Sequence, residues 1–196
     1  MELAQNRIKR ISQVMYYLSV VLYILGIAVL ILATLFFAIQ FFLPDDLFAA
    51  KQEHFGITID NVIYFSMNTD GMNSPVNLKP LLQIALPFAL VLLAFFVVGV
   101  KQVMEILKSV ARDNPFDESN SGRLYRVGRI LLIASVVVSA GRVVVYNQII
   151  GMMKLSDVRT NFSVNVTLLL TGLLVLILAG VFKYGSYLKS EYDATV

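Results

Sequence analysis

The chain lacks cysteine and tryptophan, and its one histidine is His54. Without cysteine there is no disulfide, no thiolate zinc site, no iron–sulfur cluster and no cysteine nucleophile. A single histidine excludes a His-rich metal site or a diheme bundle. Charge is scarce as well. Charged residues make up 15% of the 196 positions, against about 25% in soluble domains. Hydrophobic residues reach 58% and the mean hydropathy is +0.75. A water-soluble fold of this size has too little interior to hide that apolar surface, which excludes an ordinary cytosolic enzyme. The net charge is only +3 and its bases are dispersed, so no direct contact with nucleic acid is expected. With tryptophan absent, an interfacial aromatic belt falls to the 9 Tyr and 13 Phe.

What is present is long charge-free runs. A helix crosses the hydrocarbon core in roughly 20 residues. Four segments qualify, at about 16–43, 80–104, 127–146 and 164–184. The first follows a basic start, Arg7, Lys9 and Arg10. It is longer than a signal peptide's apolar region and no A-x-A site follows, so it reads as an uncleaved anchor. Its excess length implies tilt or projection beyond the bilayer.

Lys and Arg set the orientation. Arg7, Lys9 and Arg10, then Lys101, Lys108, Arg112, Arg123, Arg126 and Arg129, then Lys183 and Lys189 put eleven on one side. Lys51, Lys79, Lys154 and Arg159 put four on the other. Both termini are therefore expected in the cytoplasm, with loops 44–79 and 147–163 outside and a cytoplasmic hinge at 105–126.

The outer loops carry a period of two. Gly56 to Asp60 alternates, Val62 to Phe65 follows, and Phe162, Val164 and Val166 share one face of the second loop. Alternation is a strand signal, and a lone strand leaves its backbone unpaired. The segments are expected to pair into a small extracytoplasmic β cap lying on the bundle. Two glycosylation-like triplets, Asn161-Phe162-Ser163 and Asn165-Val166-Thr167, carry little weight at three residues each.

The hinge is the most punctuated segment. Val103, Met104, Ile106, Leu107 and Val110 have helical spacing, so the second span continues past the membrane. Pro115 ends it and biases Asn114 away from helix. Asp117 is a suitable N-cap and Glu118 suits the positive end of the next helix dipole. Arg123, Arg126 and Arg129 recur every three residues, a basic stripe suited to anionic headgroups or an acidic partner. The candidate partner-binding residues are Asn114, Pro115, Phe116, Asn120, Arg123 and Arg126.

The run Asp113-Asn114-Pro115-Phe116-Asp117-x-x-Asn120-x-x-Arg123-Leu124-x-Arg126-Val127-Gly128 resembles the hallmark of a bacterial membrane family, domain of unknown function 2975. Here Asp117 replaces the family's hydroxyl cap, Tyr125 interrupts its Arg-Leu-Arg run, and Val127 replaces isoleucine. The stretch Leu176–Gly185 and the ending Glu191-x-Asp193-x-Thr195-Val196 are similar to the family's fourth span and tail, with Gly180 where an acidic residue is common. The resemblance implies four spans in a bacterial inner membrane. The family's genes often accompany small helix-turn-helix regulators, which implies a sensory or regulatory role. It implies no catalytic residues.

Arg142 is the one charge inside a span, and such residues are functional candidates by default. It lies about 22 Å along the helix from Val127, toward the outer interface, with Asp157, Asp45 and Asp46 as candidate partners. Ser135, Ser139, Arg142 and Tyr146 share a helix face, either a ligand-facing groove or a packing face. Spans one, two and four hold no core charge, which argues against ion-coupled transport. Gln40 and Gln83, near outer ends, are the other polar candidates. No segment offers paired carboxylates at a plausible depth, a G-x-S-x-G elbow or a Walker loop.

The reading is an all-α integral membrane protein: one domain, a four-helix transmembrane bundle with the β cap. It is expected to be non-enzymatic, without metal or cofactor. Its expected role is sensory or regulatory, presenting the hinge to a partner such as a small helix-turn-helix regulator. The alternative is a small-molecule or peptide binding, export or immunity protein. The expected partners are the lipid bilayer and a cytoplasmic protein regulator, with a homodimer as a further alternative.

Overall fold

A computed structural model describes residues 2–50, 54–59, 63–68, 76–152 and 158–195. It contains four long helices: α1 (Glu2–Ile39), α2 (Lys79–Ala111), α3 (Glu118–Met152) and α4 (Val166–Thr195). All four are long and apolar enough to cross a membrane, which makes the chain a multi-pass membrane protein. Each helix runs beyond its charge-free core, because charged flanks continue the hydrogen-bond ladder outside the apolar zone. The first helix instead stops early, at Ile39 rather than Leu43. Residues 40–42 form a turn before Pro44, which opens a 3-10 turn over Asp45–Phe48.

The helices pack in chain order. α1 lies on α2, α2 on α3 and α3 on α4, and α1 shares no comparable face with α4. The row is therefore open along the α1–α4 side. Buried hydrophobic residues are few, since the lipid-facing side chains of such a row have no protein over them.

Small residues set the tightest crossings. A Cβ on Gly128 would sit 2.7 Å from Leu176 Cδ2 and 3.1 Å from the Gly172 carbonyl oxygen. α3 and α4 thus approach backbone to backbone. Ser121 Oγ donates to the Ala179 carbonyl at 3.0 Å in the same interface. Phe88, next to the mid-helix Pro87, lies over Gly141.

At the far end from the α2–α3 loop, Lys79 fastens α2 to the exit of α1. Its Nζ donates to the Leu43 carbonyl at 2.7 Å and pairs with Asp45 at 2.8 Å. The same ammonium lies 5.8 Å from the centre of the Phe48 ring. Lys79 holds the Asp45 carboxyl below its ordinary range, first by the hydrogen bond and then by charge.

The loop after α1 holds two separate two-stranded antiparallel ladders. β1 (Ala49–Ala50) pairs with β4 (Val76–Asn77), and β2 (His54–Ile59) pairs with β3 (Ile63–Asn68) in the register His54 to Asn68 through Ile59 to Ile63. The predicted strands in this loop match β2 and β3 in part. Asp60 and Val62 lie outside the described residues.

Among the described residues nothing supports a β cap resting on the helices. The two ladders do not join, and β2–β3 makes its main contacts within itself. The strand expected at 162–166 is also absent: residues 158–165 are non-regular and α4 begins at Val166. The physical reason is local. Asn165 accepts the Leu168 N–H on its own Oδ1 at 3.0 Å and donates its N–H to Ser139 Oγ at 3.0 Å. The side chain caps a helix, and the backbone runs beside α3 rather than a strand. Thr160 Oγ1, hydrogen-bonded to Asn147 Oδ1 at 2.7 Å, holds the same segment against α3 higher up.

Candidate functional site

The loop between α2 and α3 is a knot shorter than the expected hinge: only residues 112–117 leave the helices. α2 ends in a double wrap. Asp113 N–H donates to the Val110 carbonyl and Asn114 N–H to the Ser109 carbonyl, each at 3.1 Å. This termination needs a left-handed residue after the cap, normally glycine. Asp113 takes that place with φ 61°, a conformation aspartate tolerates better than most.

α3 starts on Asp117, as its sequence position suggested. Asp117 Oδ1 accepts the Ser119 N–H at 3.0 Å and also the Ser119 hydroxyl. Its Oδ2 accepts from Asn114 Nδ2 at 3.0 Å. These bonds hold the Asp117 carboxyl below its ordinary range, the Ser119 hydroxyl first, with help from Arg123 and Lys189.

Asn120 is the centre of the knot and fully buried. Its Nδ2 donates to Ser109 Oγ at 3.0 Å and to the Pro115 carbonyl at 2.9 Å. Its Oδ1 accepts from Arg123 at 2.7 Å. Ser109 Oγ in turn donates to the Asn114 carbonyl at 2.5 Å. One carboxamide thus joins the end of α2, the turn and the start of α3.

The outer helices reach the same loop. Lys9 of α1 pairs with Asp113 at 2.5 Å. Lys189 of α4 donates to Asn114 Oδ1 at 2.6 Å. Phe116 lies on α4 over Gly185, where a Cβ would meet its Cδ1 at 2.6 Å, and its ring centre is 5.5 Å from that of Phe182. Phe116 keeps 42% of its surface exposed.

Of the residues singled out in the hinge, Asn114, Pro115, Phe116, Asn120 and Arg123 meet in this knot. Arg126 stands one step away, with Nη1 3.4 Å from the buried Gln102 Oε1. Sequence spacing did not reveal Lys9, Ser109, Phe182, Gly185 or Lys189. Their approach is tertiary, and the only hint was a glycine placed after an aromatic on the exit of the last span.

The other candidate face divides. Ser135 and Ser139 are buried. Ser135 Oγ donates to the Leu132 carbonyl at 2.7 Å and Ser139 Oγ to the Ser135 carbonyl at 2.8 Å. Ser139 also tethers Asn165. Arg142 is exposed and engaged, and Tyr146 is half-buried. Asp157, one of Arg142's candidate partners, lies outside the described residues, and Asp45 is held by Lys79. The serines therefore tie α3 to itself and to α4, not to an open groove. Gln40 is fully buried, and neither amide atom has a hydrogen-bond partner among the described residues. Among the described residues no cluster of His, Asp or Glu is arranged to hold a metal ion.

A family profile described as "Protein of unknown function (DUF2975)" matches residues 61–196, and the chain belongs to that family. The matched part includes α2, α3, α4 and the whole knot, while α1 precedes it. No curated protein and no solved structure matches the chain.

Proposed function

We propose that this DUF2975 member is a non-enzymatic sensory or regulatory protein of the bacterial inner membrane, with both termini cytoplasmic. The α2–α3 knot is its output surface. One observation carries the reading: residues 113–120 bind the ends of all four helices at once, through Lys9, Ser109, Asn120 and the Gly185–Lys189 stretch. A change in how the helices pack in the membrane is then felt at one loop. That loop presents a half-uncovered aromatic ring beside basic side chains, a surface suited to a small cytoplasmic regulator with an acidic face. The excess of Lys and Arg on the loop side supports the orientation. The sheltered, internally bonded Ser135 and Ser139 weigh against the alternative of a small-molecule or peptide binding, export or immunity protein.

Crosslinking in native membranes with a C-terminal tag tests the proposal. A soluble regulator should co-purify with the wild type and be lost from the Pro115→Ala, Phe116→Ala double variant. Equal capture by both proteins, or capture of no cytoplasmic protein, would sink it.

A further inference from the structure

A second feature lies beside the knot and is independent of that proposal. α1 and α3 flank α2 and leave between them a cleft of about 410 Å³, open to one side. Its walls are apolar, with Leu22 on α1, Phe96 and Gly99 on α2, and Ile130 and Ala134 on α3. The one hydroxyl in the wall, Ser19, is already given to the Met15 carbonyl at 2.8 Å. The wall therefore offers an occupant no free side-chain hydrogen-bond donor.

Its dimensions are those of one leaflet. The α2 wall runs from Leu92 to Val103, about 16 Å at 1.5 Å per residue. Half of a hydrocarbon core is about 15 Å. A linear hydrocarbon chain of one leaflet's length matches that apolar wall.

The mouth of the cleft is polar and basic. The walls end at Val103 and Val127. One turn before Ile130 on the same face of α3 stands Arg126, exposed, touching only the buried Gln102 carboxamide and paired with no acidic group among the described residues. Arg123 follows but is shared with Glu105 at 3.9 Å. Arg126 thus stands next to Val127 at the end of the cleft nearest the α2–α3 loop, with no acidic partner among the described residues.

We propose that the cleft binds one acyl chain of an anionic phospholipid from the surrounding bilayer, with its phosphate on Arg126. Gly99 keeps the floor open: a Cβ there meets nothing within 4 Å. A longer side chain at this position starts without a collision and projects into the space the cleft leaves.

The test uses the full chain, purified and exposed to an equal mixture of phosphatidylglycerol and phosphatidylcholine, with bound lipid read by native mass spectrometry. The wild type should retain phosphatidylglycerol over phosphatidylcholine by about fivefold, the factor one arginine supplies toward an anionic headgroup. Arg126→Gln should abolish the preference. Gly99→Leu should lose the retained lipid while keeping wild-type helicity by circular dichroism. Equal retention of both lipids by the wild type would overturn the proposal, as would an unchanged preference in Arg126→Gln. So would a dimer peak that Gly99→Leu removes, because a second copy would then occupy the cleft. If Gly99→Leu fails to fold, Gly99→Ala, which favours helix and narrows the same floor, replaces it with the same expected loss in part.

Discussion

Phe116 and Gly185 share a space that admits no additional atom: a methyl group on residue 185 would lie 2.6 Å from the Phe116 ring. Gly185→Ala must push the ring off α4. Overpacking of this kind costs about 1–3 kcal/mol. Combined with Phe116→Ala, the collision disappears, so the two changes should be far from additive. Apparent melting temperatures of the two single variants and the double variant in detergent check this. Additive losses would show that the ring is not seated on Gly185.

Asn120→Ala removes three hydrogen bonds, leaves the Pro115 carbonyl without its donor and takes from Arg123 the shortest of its bonds. Stranded polar groups cost about 1–3 kcal/mol each when buried. We expect a loss of about 2–3 kcal/mol, concentrated at the α2–α3 loop. Asn120→Asp should be less harmful, since an oxygen still faces Arg123. Thermal unfolding combined with proteolysis at the loop reads both.

The Asp117 cap makes the loop sensitive to acid. The folded carboxyl is lowered relative to the unfolded one. Its contribution is therefore complete above the ordinary aspartate range, about pH 4, and is lost as the pH falls through the lowered folded value. Asp117→Asn keeps a capping oxygen but does not titrate. The wild-type melting temperature should fall more steeply than the variant's below about pH 4. Parallel curves would remove Asp117 from the account.

Gln40 points the other way. A fully buried carboxamide with no hydrogen-bond partner among the described residues is a standing cost of about 1–3 kcal/mol. Gln40→Leu should raise the melting temperature. A fall would mean that the amide serves a polar partner in the membrane.

The reach of the sequence differs between these parts. Helices were readable because a lipid-facing helix advertises itself by the absence of charge, and Pro115 with Asp117 marked where α2 must end and α3 begin. The stretch before α4 alternates like a strand in sequence, and its backbone is non-regular. A period of two does not report the identity of the neighbour. Here that neighbour is α3, and Asn165 turns its side chain to capping. The knot was half readable. Asn114, Phe116 and Asn120 stand in one short motif, whereas Lys9, Gly185 and Lys189 join it only because antiparallel helices return to the same end. The left-handed Asp113 carried no signal, since the residue expected there is glycine.

The chain-order packing of the helices has a mechanical consequence. In a closed ring, removing one member breaks two interfaces. Here α1 is a terminal leaf, held along one face by α2 and fastened at its root by the Lys9–Asp113 pair. It can peel away while α2, α3 and α4 keep every contact they make with one another. An exposed ion pair contributes little to such a hold, about 0–1 kcal/mol. Either end helix, α1 or α4, can therefore leave the row without breaking a contact among the three that remain, and for α1 the ion pair broken at that step ends on the residue next to Asn114.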